Sequence, residues 1–472
     1  MSFQSLSFLA FLLGTLAVCL PLGQQNRQAG QTVLLLCSAV FYLLGSGGRS
    51  LLILLLGTAV TALILRTFRR PALRRRALVL GCGWHIAVLL AFKYLAFFSG
   101  GHLSLGAAPL GLSFFTFQQL WLLHDVYIGQ ADPVPGNALP LYALFFPTVS
   151  SGPILKPRSF FPQLSQPGFL HPDWAGVSAG LYVFSIGMMK KVLLADPLGT
   201  VVQNGWAQAD TLSAPGAWLV MLGYTLQLYF DFSGYCDIAA GIARLLGIRL
   251  PRNFNSPYRS LSVGSFWKRW HMTLTDFLRE CVYFPLGGSR RGTLATYRNI
   301  LLVYLVSGFW HGAGWTFLVW GLLHGLAQVL ERGLGFRLER LPNGLRWCGT
   351  FLFVNLAWVF FRAPSLSSAG VLLSRAASGG WAIPDVSLVN GLFVKEREAV
   401  GLLFPTAPEQ IAAVFTAALF GAGLLCVLWP ENAVSRMETF RPTGWRCVLL
   451  ALGLVWSILS FSGISTFIYA NF

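Results

Sequence analysis

Residues 300–329 read ILLVYLVSGFWHGAGWTFLVWGLLHGLAQV and form two apolar runs, Ile300–Trp310 and Trp315–Val329. Arg298 precedes the first run and Arg332 follows the second. Apolar runs of this kind enter the hydrocarbon of a bilayer, and basic residues mark the cytoplasmic ends of membrane segments. The stretch therefore predicts a helical hairpin that enters the membrane from the cytoplasm and returns to it.

The rest of the chain repeats this pattern. Of its 472 residues, 55% are hydrophobic and 11% are charged, whereas soluble domains contain about 25% charged residues. We therefore predict an all-α, polytopic integral membrane protein with about 11–13 membrane helices, some of them re-entrant. The further apolar runs are Phe8–Leu22, Thr32–Leu44, Leu51–Leu65, Ala77–Phe98, Ser178–Ala195, Trp218–Leu246, Trp347–Phe361, Ile411–Trp429 and Val448–Ile464.

We expect a single membrane-embedded domain over residues 1–472. N-terminal helices occupy residues 1–100, a core occupies residues 110–335, and C-terminal helices occupy residues 345–472. The core contains a re-entrant basic segment at residues 249–298.

Three segments between the apolar runs depart from the pattern of spanning helices. Ala363–Gln410 and Asp196–Gly216 are the longest polar excursions, and the charge pattern places the first of them outside. Leu139–Ser150 is too short to span a bilayer and is followed by basic residues. We expect this last segment to dip into the membrane and return.

The formal net charge of +17 indicates membrane topology and not nucleic-acid binding. The basic residues lie in short loops between apolar runs, as expected for cytoplasmic loops. Counting helices from these loops places both termini outside, and the first apolar run lacks the features of a cleaved signal peptide. The clearest cytoplasmic cluster consists of Arg66, Arg69, Arg70, Arg74, Arg75 and Arg76.

No metal site or disulfide framework is indicated. The eight cysteines lie far apart and have no C-x-x-C spacing. The histidines and carboxylates match no zinc-ligand spacing either.

The basic segment contains nine cations and only two acids, Asp276 and Glu280. Its central part, Ser265–Val282, has apolar residues at three- and four-residue spacings, which predicts a helix. The segment is too polar to face lipid, so we expect this helix to lie at the cytoplasmic face or dip into it. A surface amphipathic helix held by anionic lipid is the alternative.

His311 is the main candidate functional residue. It lies twelve residues after Asn299, a rise of about 18 Å, which passes the middle of a hydrocarbon layer about 30 Å thick. Gly312 and Gly314 then interrupt the helix. An ionisable group at this depth is a functional candidate, and a histidine can accept a proton at neutral pH. The alternative is a neutral core histidine that donates to a carbonyl.

Other ionisable residues are weaker candidates. His271 follows Trp270 in the basic segment, where an interfacial histidine with no function is also plausible. Lys190 and Lys191 interrupt an apolar run, so we expect them to face protein or reach the interface. Two carboxylates of the Trp218–Leu246 run need buried partners. The remaining histidines are expected to be structural or solvated: His85, His102, His124, His171 and His324.

Three long motifs together resemble the membrane-bound O-acyltransferase family, and more narrowly its bacterial polysaccharide O-acetyltransferase branch. They are GYTLQLYFDFSGYCDIAAGIARLLGIRLPRNFNSPY (223–258), SFWKRWHMTLTDFLRECVYFPLGG (265–288) and SGFWHGAGWTFLVWGLLHG (307–325). Shorter matches are SFFTFQQLWLLHDVY, FFPTVSSGPILKPRSFFPQL, VNLAWVFFRA and the terminal FIYANF. The resemblance covers most of the chain, in order.

The resemblance implies a ring of helices around a central tunnel in a bacterial inner membrane. It assigns the family's catalytic histidine to His311 and its second characteristic histidine to His271. His311 would act as a general base in acyl transfer from a thioester donor, either acetyl-coenzyme A or an acyl carrier protein. Lys268, Arg269 and Arg252 would attract this anionic donor at the cytoplasmic face.

The resemblance also implies partners: membrane lipid, a periplasmic SGNH-type acetyltransferase or esterase, and a polysaccharide synthase complex. The acceptor would be an exported polysaccharide of alginate or cellulose type, with D-alanyl transfer or peptidoglycan O-acetylation as alternatives. A transporter or proton channel and a synthase scaffold remain open as other classes of protein.

Overall fold

The computed structural model describes residues 2–131, 134, 138–384, 386–461 and 468, and this part of the chain is helical, without a β-strand. The terminal FIYANF motif lies outside the described residues except for Ile468. At Gly47 (φ 79°, ψ 165°) the second helix bends into two arms, which match two of the predicted apolar runs. The N-terminal helices are α1 (Leu6–Gln25), α2 (Arg27–Thr67), α3 (Pro71–Lys93) and α4 (Leu95–Phe98).

The remaining helices form the core and the C-terminal part. The core helices are α5 (Leu112–Tyr127), α6 (Ala138–Leu144), α7 (Pro157–Phe160), α8 (Trp174–Met189), α9 (Asp196–Ala207), α10 (Ala214–Leu245), α11 (Val263–Trp267), α12 (Met272–Leu278), α13 (Thr293–His311) and α14 (Trp315–Leu338). The C-terminal helices are α15 (Asn343–Arg362), α16 (Leu366–Ser378), α17 (Val394–Gly401), α18 (Pro408–Leu428), α19 (Ala433–Met437) and α20 (Gly444–Leu459).

Six helical segments of the described chain are long and apolar enough to cross a membrane. Helix α20 is also apolar but shorter. These segments confirm an all-α, polytopic membrane protein, and a total of about 11–13 membrane helices stays a prediction. The six segments are Leu6–Gln25, Arg27–Thr67, Pro71–Lys93, Trp174–Ala207, Asn343–Arg362 and Pro408–Leu428.

The segment Asp196–Gly216 is mostly helical, although the sequence suggested a polar excursion. Helix α8 continues through a π-helical turn into α9, so that one helical segment of 34 residues runs from Trp174 to Ala207. The side chains of Leu198, Val201 and Val202 are buried. This apolar face packs against α10 and outweighs the polar residues between its members.

The prediction of one continuous helix over Ser265–Val282 is wrong, because the helix is interrupted in the middle. It is divided into α11 and α12, and His271 between them has a left-handed backbone (φ 43°). The break follows from non-local hydrogen bonds, because the Met272 N–H donates to the Asn253 carbonyl and the Asn255 N–H donates to the Arg269 carbonyl, each at 2.9 Å. These bonds compete with continuation of the helix.

The Leu139–Ser150 segment begins with helix α6 and continues as irregular backbone. The side chains of Phe145, Phe146 and Val149 are buried. Irregular backbone at membrane depth is tolerated where it is covered by protein, which is consistent with the predicted entry and return.

The two lysines of the π-helical turn face protein. Lys190 pairs with Asp237 at 2.6 Å, and Lys191 pairs with Asp231 at 2.6 Å and Asp196 at 2.8 Å. The carboxylates of α10 therefore pair with lysines of the neighbouring helix rather than with a histidine.

Close contact between two glycines holds the hairpin of α13 and α14 together. A Cβ on Gly308 would lie 2.4 Å from the carbonyl oxygen of Phe317, and a Cβ on Gly321 would lie 2.4 Å from that of Tyr304. Small residues at such crossings let helix backbones approach closely. This approach fixes the hairpin on which His311 lies.

Replacing Gly308 with alanine is expected to destabilise the protein, because the obstructing atom is a backbone oxygen that cannot rotate away. Overpacking of this kind costs about 1–3 kcal/mol, which thermal unfolding in detergent measures. The matched control is Gly335→Ala on α14, where a Cβ would meet no atom within 4 Å. Equal unfolding temperatures for the two variants would contradict this account of the hairpin.

Candidate functional site

His311 is the last residue of α13, and α14 begins at Trp315. The break in the helix therefore falls where the glycines predicted it. Helix α13 begins at Thr293, six residues earlier than the sequence suggested, so that eighteen residues rise about 27 Å to His311. The imidazole thus lies at the deep end of an interrupted helix.

Aromatic side chains surround the His311 imidazole, which is 2% exposed. Its ring centroid lies 4.8 Å from that of Trp310 and 5.1 Å from those of Trp320 and Phe361. The resemblance implied a central tunnel, whereas five large cavities in the described part of the chain are lined by residues other than His311. In this conformation the ring is covered by aromatic side chains.

The side chain of Lys93, at the end of α3, caps the C-terminus of α13. Its ammonium group donates to the carbonyl oxygens of Trp310 and His311, the latter at 3.0 Å, and to the Ser113 hydroxyl at 3.4 Å. The last carbonyls of a helix have no partner within the helix, and a cation there also complements the helix dipole. Lys93 therefore fixes the backbone that carries His311.

Asn253 fixes the orientation of His271, which is fully buried. The Oδ1 atom of Asn253 accepts from the Thr273 backbone N–H at 3.1 Å and lies 3.3 Å from His271 Nδ1. Because the backbone N–H can only donate, this atom of Asn253 is the oxygen, and Nδ1 facing it carries a proton. In a neutral His271, Nε2 is then the basic nitrogen.

The indole of Trp310 brings the two histidines together. Its ring centroid lies 6.1 Å from that of His271 and 4.8 Å from that of His311. Lys93, His271 and His324 are close enough to His311 to interact with it electrostatically. The structure thus combines both predicted histidines with two ionisable residues that sequence reasoning did not select.

The two acids of the basic segment bind cations from another part of the chain. Lys156 contacts Asp276 at 3.2 Å and Glu280 at 3.0 Å, and Arg158 contacts both oxygens of Glu280 at 2.9 Å. Burial alone would raise the pKa of Glu280, but Lys156 and Arg158 lower it, and the pKa lies below its usual value. This ion network docks the basic segment onto the start of α7.

The three predicted donor-binding cations lie close to His271 and its partner in sequence. Lys268 and Arg269 shortly precede His271, and Arg252 directly precedes Asn253. Lys268 is exposed, Arg269 is partly buried, and Arg252 donates to the Ser435 hydroxyl at 2.7 Å. None of the three forms an ion pair with another described residue. They add positive charge to the side of the protein where His271 is held.

No group of three or more potential metal ligands occurs among the described residues. His311 and His271 are a pair of ionisable groups buried in a helical membrane protein, and such groups mark a candidate functional site.

Comparison with known proteins identifies the family. The model of MBOAT, the membrane-bound O-acyltransferase family, matches residues 138–369. The chain is 35% identical over 469 residues to a peptidoglycan O-acetyltransferase of Helicobacter pylori, covering 89% of this chain and 87% of that protein. This chain belongs to the membrane-bound O-acyltransferase family, and it is an O-acyltransferase.

Other relatives are named after different acceptors. The chain is 36% identical over 388 residues to a probable alginate O-acetylase AlgI of Pseudomonas putida, covering 78% of this chain and 75% of that protein. It is 30% identical over 229 residues to a teichoic acid D-alanyltransferase of Bacillus subtilis, covering 47% of this chain and 58% of that protein.

Replacing Lys93 with methionine is expected to lower both stability and the transfer rate, because it leaves the Trp310 and His311 carbonyls without their donor. An unsatisfied buried group costs about 1–3 kcal/mol, which thermal unfolding in detergent measures beside the rate of acyl transfer. Arg49→Met is the control, since Arg49 also donates to a backbone carbonyl, that of Leu105, but at an exposed position. Wild-type stability and rate in the Lys93 variant would show that the cap is dispensable.

Proposed function

We propose that this O-acyltransferase moves an acetyl group from a cytoplasmic thioester donor across the inner membrane for O-acetylation of an exported polysaccharide. The observation that carries the proposal is the buried pair His311 and His271, which both contact the ring of Trp310, in a chain of this family. Both histidines are shielded from bulk water, as acyl transfer without hydrolysis requires.

His311 acts as the general base. It takes the proton from an acceptor hydroxyl, whose oxygen attacks the thioester carbonyl carbon, and it returns the proton to the leaving thiolate. His271 presents Nε2 to the same site because Asn253 holds its Nδ1 proton. It positions the donor or shares the proton.

The donor is acetyl-coenzyme A or an acetylated acyl carrier protein. Both are anionic and carry the acetyl group on the same type of thiol arm. Lys268, Arg269 and Arg252 attract this charge at the cytoplasmic face. The covered state of His311 means that the donor arm has to displace the Phe361 ring to reach it.

Both termini lie on the periplasmic side in this topology, and the acetyl group is received by a periplasmic SGNH-type partner. A serine of that partner then supplies the acceptor hydroxyl, and a polysaccharide synthase complex provides the polymer. An alginate- or cellulose-type polysaccharide is the first candidate acceptor. Peptidoglycan is the second, because the Helicobacter pylori relative matches 89% of this chain.

Replacing His311 with alanine is expected to lower acyl transfer by about 100- to 10,000-fold, the range for loss of a general base. The assay uses the protein in sealed proteoliposomes with the SGNH-type partner on the other side of the membrane as acceptor, and radiolabelled acetyl-coenzyme A and acetylated carrier protein are supplied in separate arms. His102→Ala is the control, because His102 lies in an exposed loop. Thermal unfolding verifies that all variants are folded.

Full transfer by a folded His311→Ala variant would contradict the proposal and favour a scaffold. Proton flux without any acyl donor, lost in the same variant, would favour a channel instead. The arm that supports transfer identifies the donor.

A further inference from the structure

Two side chains of α14 that can donate an N–H, Trp320 and His324, lie near His311 and have no role in the mechanism above. Trp320 and His324 are one helical turn apart, and both are fully buried. The Trp320 ring lies 5.1 Å from the ring of His311 and 5.1 Å from that of His324. His324 is also close enough to His311 to interact with it electrostatically.

The contact with Trp267 fixes the tautomer of His324. Trp267 Nε1 lies 3.1 Å from His324 Nδ1. An indole N–H only donates, so Nδ1 accepts, and in the neutral imidazole the proton is then on Nε2. His324 thus presents an N–H donor, whereas His271 presents a basic nitrogen.

Neither His324 Nε2 nor Trp320 Nε1 has a hydrogen-bond partner among the described residues. Most buried polar groups in proteins are hydrogen-bonded, and each one that is not costs about 1–3 kcal/mol. Two such donors on successive turns of one helix, next to the proposed base, suit a ligand that brings an acceptor atom. A thioester carbonyl oxygen is such an acceptor.

We propose that His324 Nε2–H and Trp320 Nε1–H bind the carbonyl oxygen of the acyl donor and stabilise the negative charge that it gains during transfer. This inference rests on the proposed function. The acceptor oxygen forms a bond to the carbonyl carbon, its proton passes to His311, and the C=O electron pair moves to the oxygen held by the two N–H groups. The C=O bond then re-forms, the C–S bond breaks, and the thiolate leaves with the proton from His311.

In this step His324 and Trp320 exchange no proton. Preorganised donors of this kind are favourable in a water-excluded site, because they need little reorganisation as the charge develops. The neutral state of His324 is held by Trp267, and the aromatic cover around His311 excludes water.

The test compares His324→Gln with His324→Met. Glutamine accepts from Trp267 and still offers an N–H, whereas methionine has a similar length and offers none. We expect His324→Met and Trp320→Phe each to lower kcat by about 100-fold, the effect of losing one oxyanion donor. His324→Gln is expected to stay within about tenfold of wild type, and the KM for the donor changes little in all three.

Matched controls separate these effects from loss of packing. His85→Met replaces another buried histidine, which lies on α3 and contacts Thr61 of α2 at 2.9 Å. Trp218→Phe removes another indole N–H, which donates to the Ala376 carbonyl at 3.1 Å. Both controls should retain kcat.

A spectroscopic readout reports on the hydrogen bond itself. The ¹³C-labelled acetyl thioester that supports transfer, either acetyl-coenzyme A or the acetylated carrier protein, is bound to the His311→Ala variant. Its carbonyl stretch should lie at lower frequency than in solution and return towards the solution value when His324→Met is added. A merely structural role of His324 would leave this frequency unchanged.

The proposal is overturned if folded His324→Met and Trp320→Phe variants keep kcat within about threefold of wild type. It is also overturned if they change stability alone, which would mean that the two donors bind only buried water. The His311→Ala variant in the same assay distinguishes a failure of the proposed function from a failure of the present inference. If that variant still transfers acetyl groups, the proposed function fails, whatever the result at His324.

Discussion

The structure around His311 depends on one constraint, that a helix ending at a buried position must have its last carbonyls satisfied. Little water reaches such a position, and an unpaired buried carbonyl is costly. The ammonium group of Lys93 has three N–H donors and faces three acceptors, the carbonyls of Trp310 and His311 and the Ser113 hydroxyl. One lysine therefore allows α13 to end where its histidine is buried.

The second histidine is held by a different set of contacts that leads to the same hairpin. Asn253 orients His271 from one side. The N-terminal amides of α11 at Val263 and Gly264 donate to the Glu331 carboxylate on α14, the latter at 2.9 Å. Helix α14 thus connects the basic segment to the hairpin that carries His311. Hydrogen bonds of Lys93 to the backbone position His311, and the contact with Asn253 positions His271. These bonds restrict the movement of both residues.

The sequence predicted those features that depend on local composition. Apolar length predicted the membrane helices, and the glycines after His311 predicted the end of α13. The broken helix at His271 was missed because its apolar spacing continues through the break, and the bonds that interrupt it come from Asn253 and Asn255. A local pattern carries no information about such partners.

Lys93 and Asn253 were missed for the same reason. Lys93 contacts the His311 carbonyl across 218 residues of sequence, and its signal was a lone lysine inside the apolar run Ala77–Phe98. Asn253 lies in a motif that resembles the family, but only its contact with His271 reveals a role. His324 looked structural in sequence, because nothing local showed which of its nitrogens carries the proton.

The central claim is that acyl transfer occurs at His311 inside the membrane. The most direct measurement is a cryo-electron microscopy structure with S-ethyl-coenzyme A, or with the correspondingly ethylated carrier protein if that is the donor that supports transfer. Reacting groups in productive complexes approach to about 3–3.5 Å, so the account predicts the thioether sulfur within about 4 Å of the His311 or His271 ring and the donor's negative charge at Lys268, Arg269 and Arg252. A bound analogue whose sulfur stays more than about 10 Å from both rings, well beyond the reach of proton transfer, would contradict it.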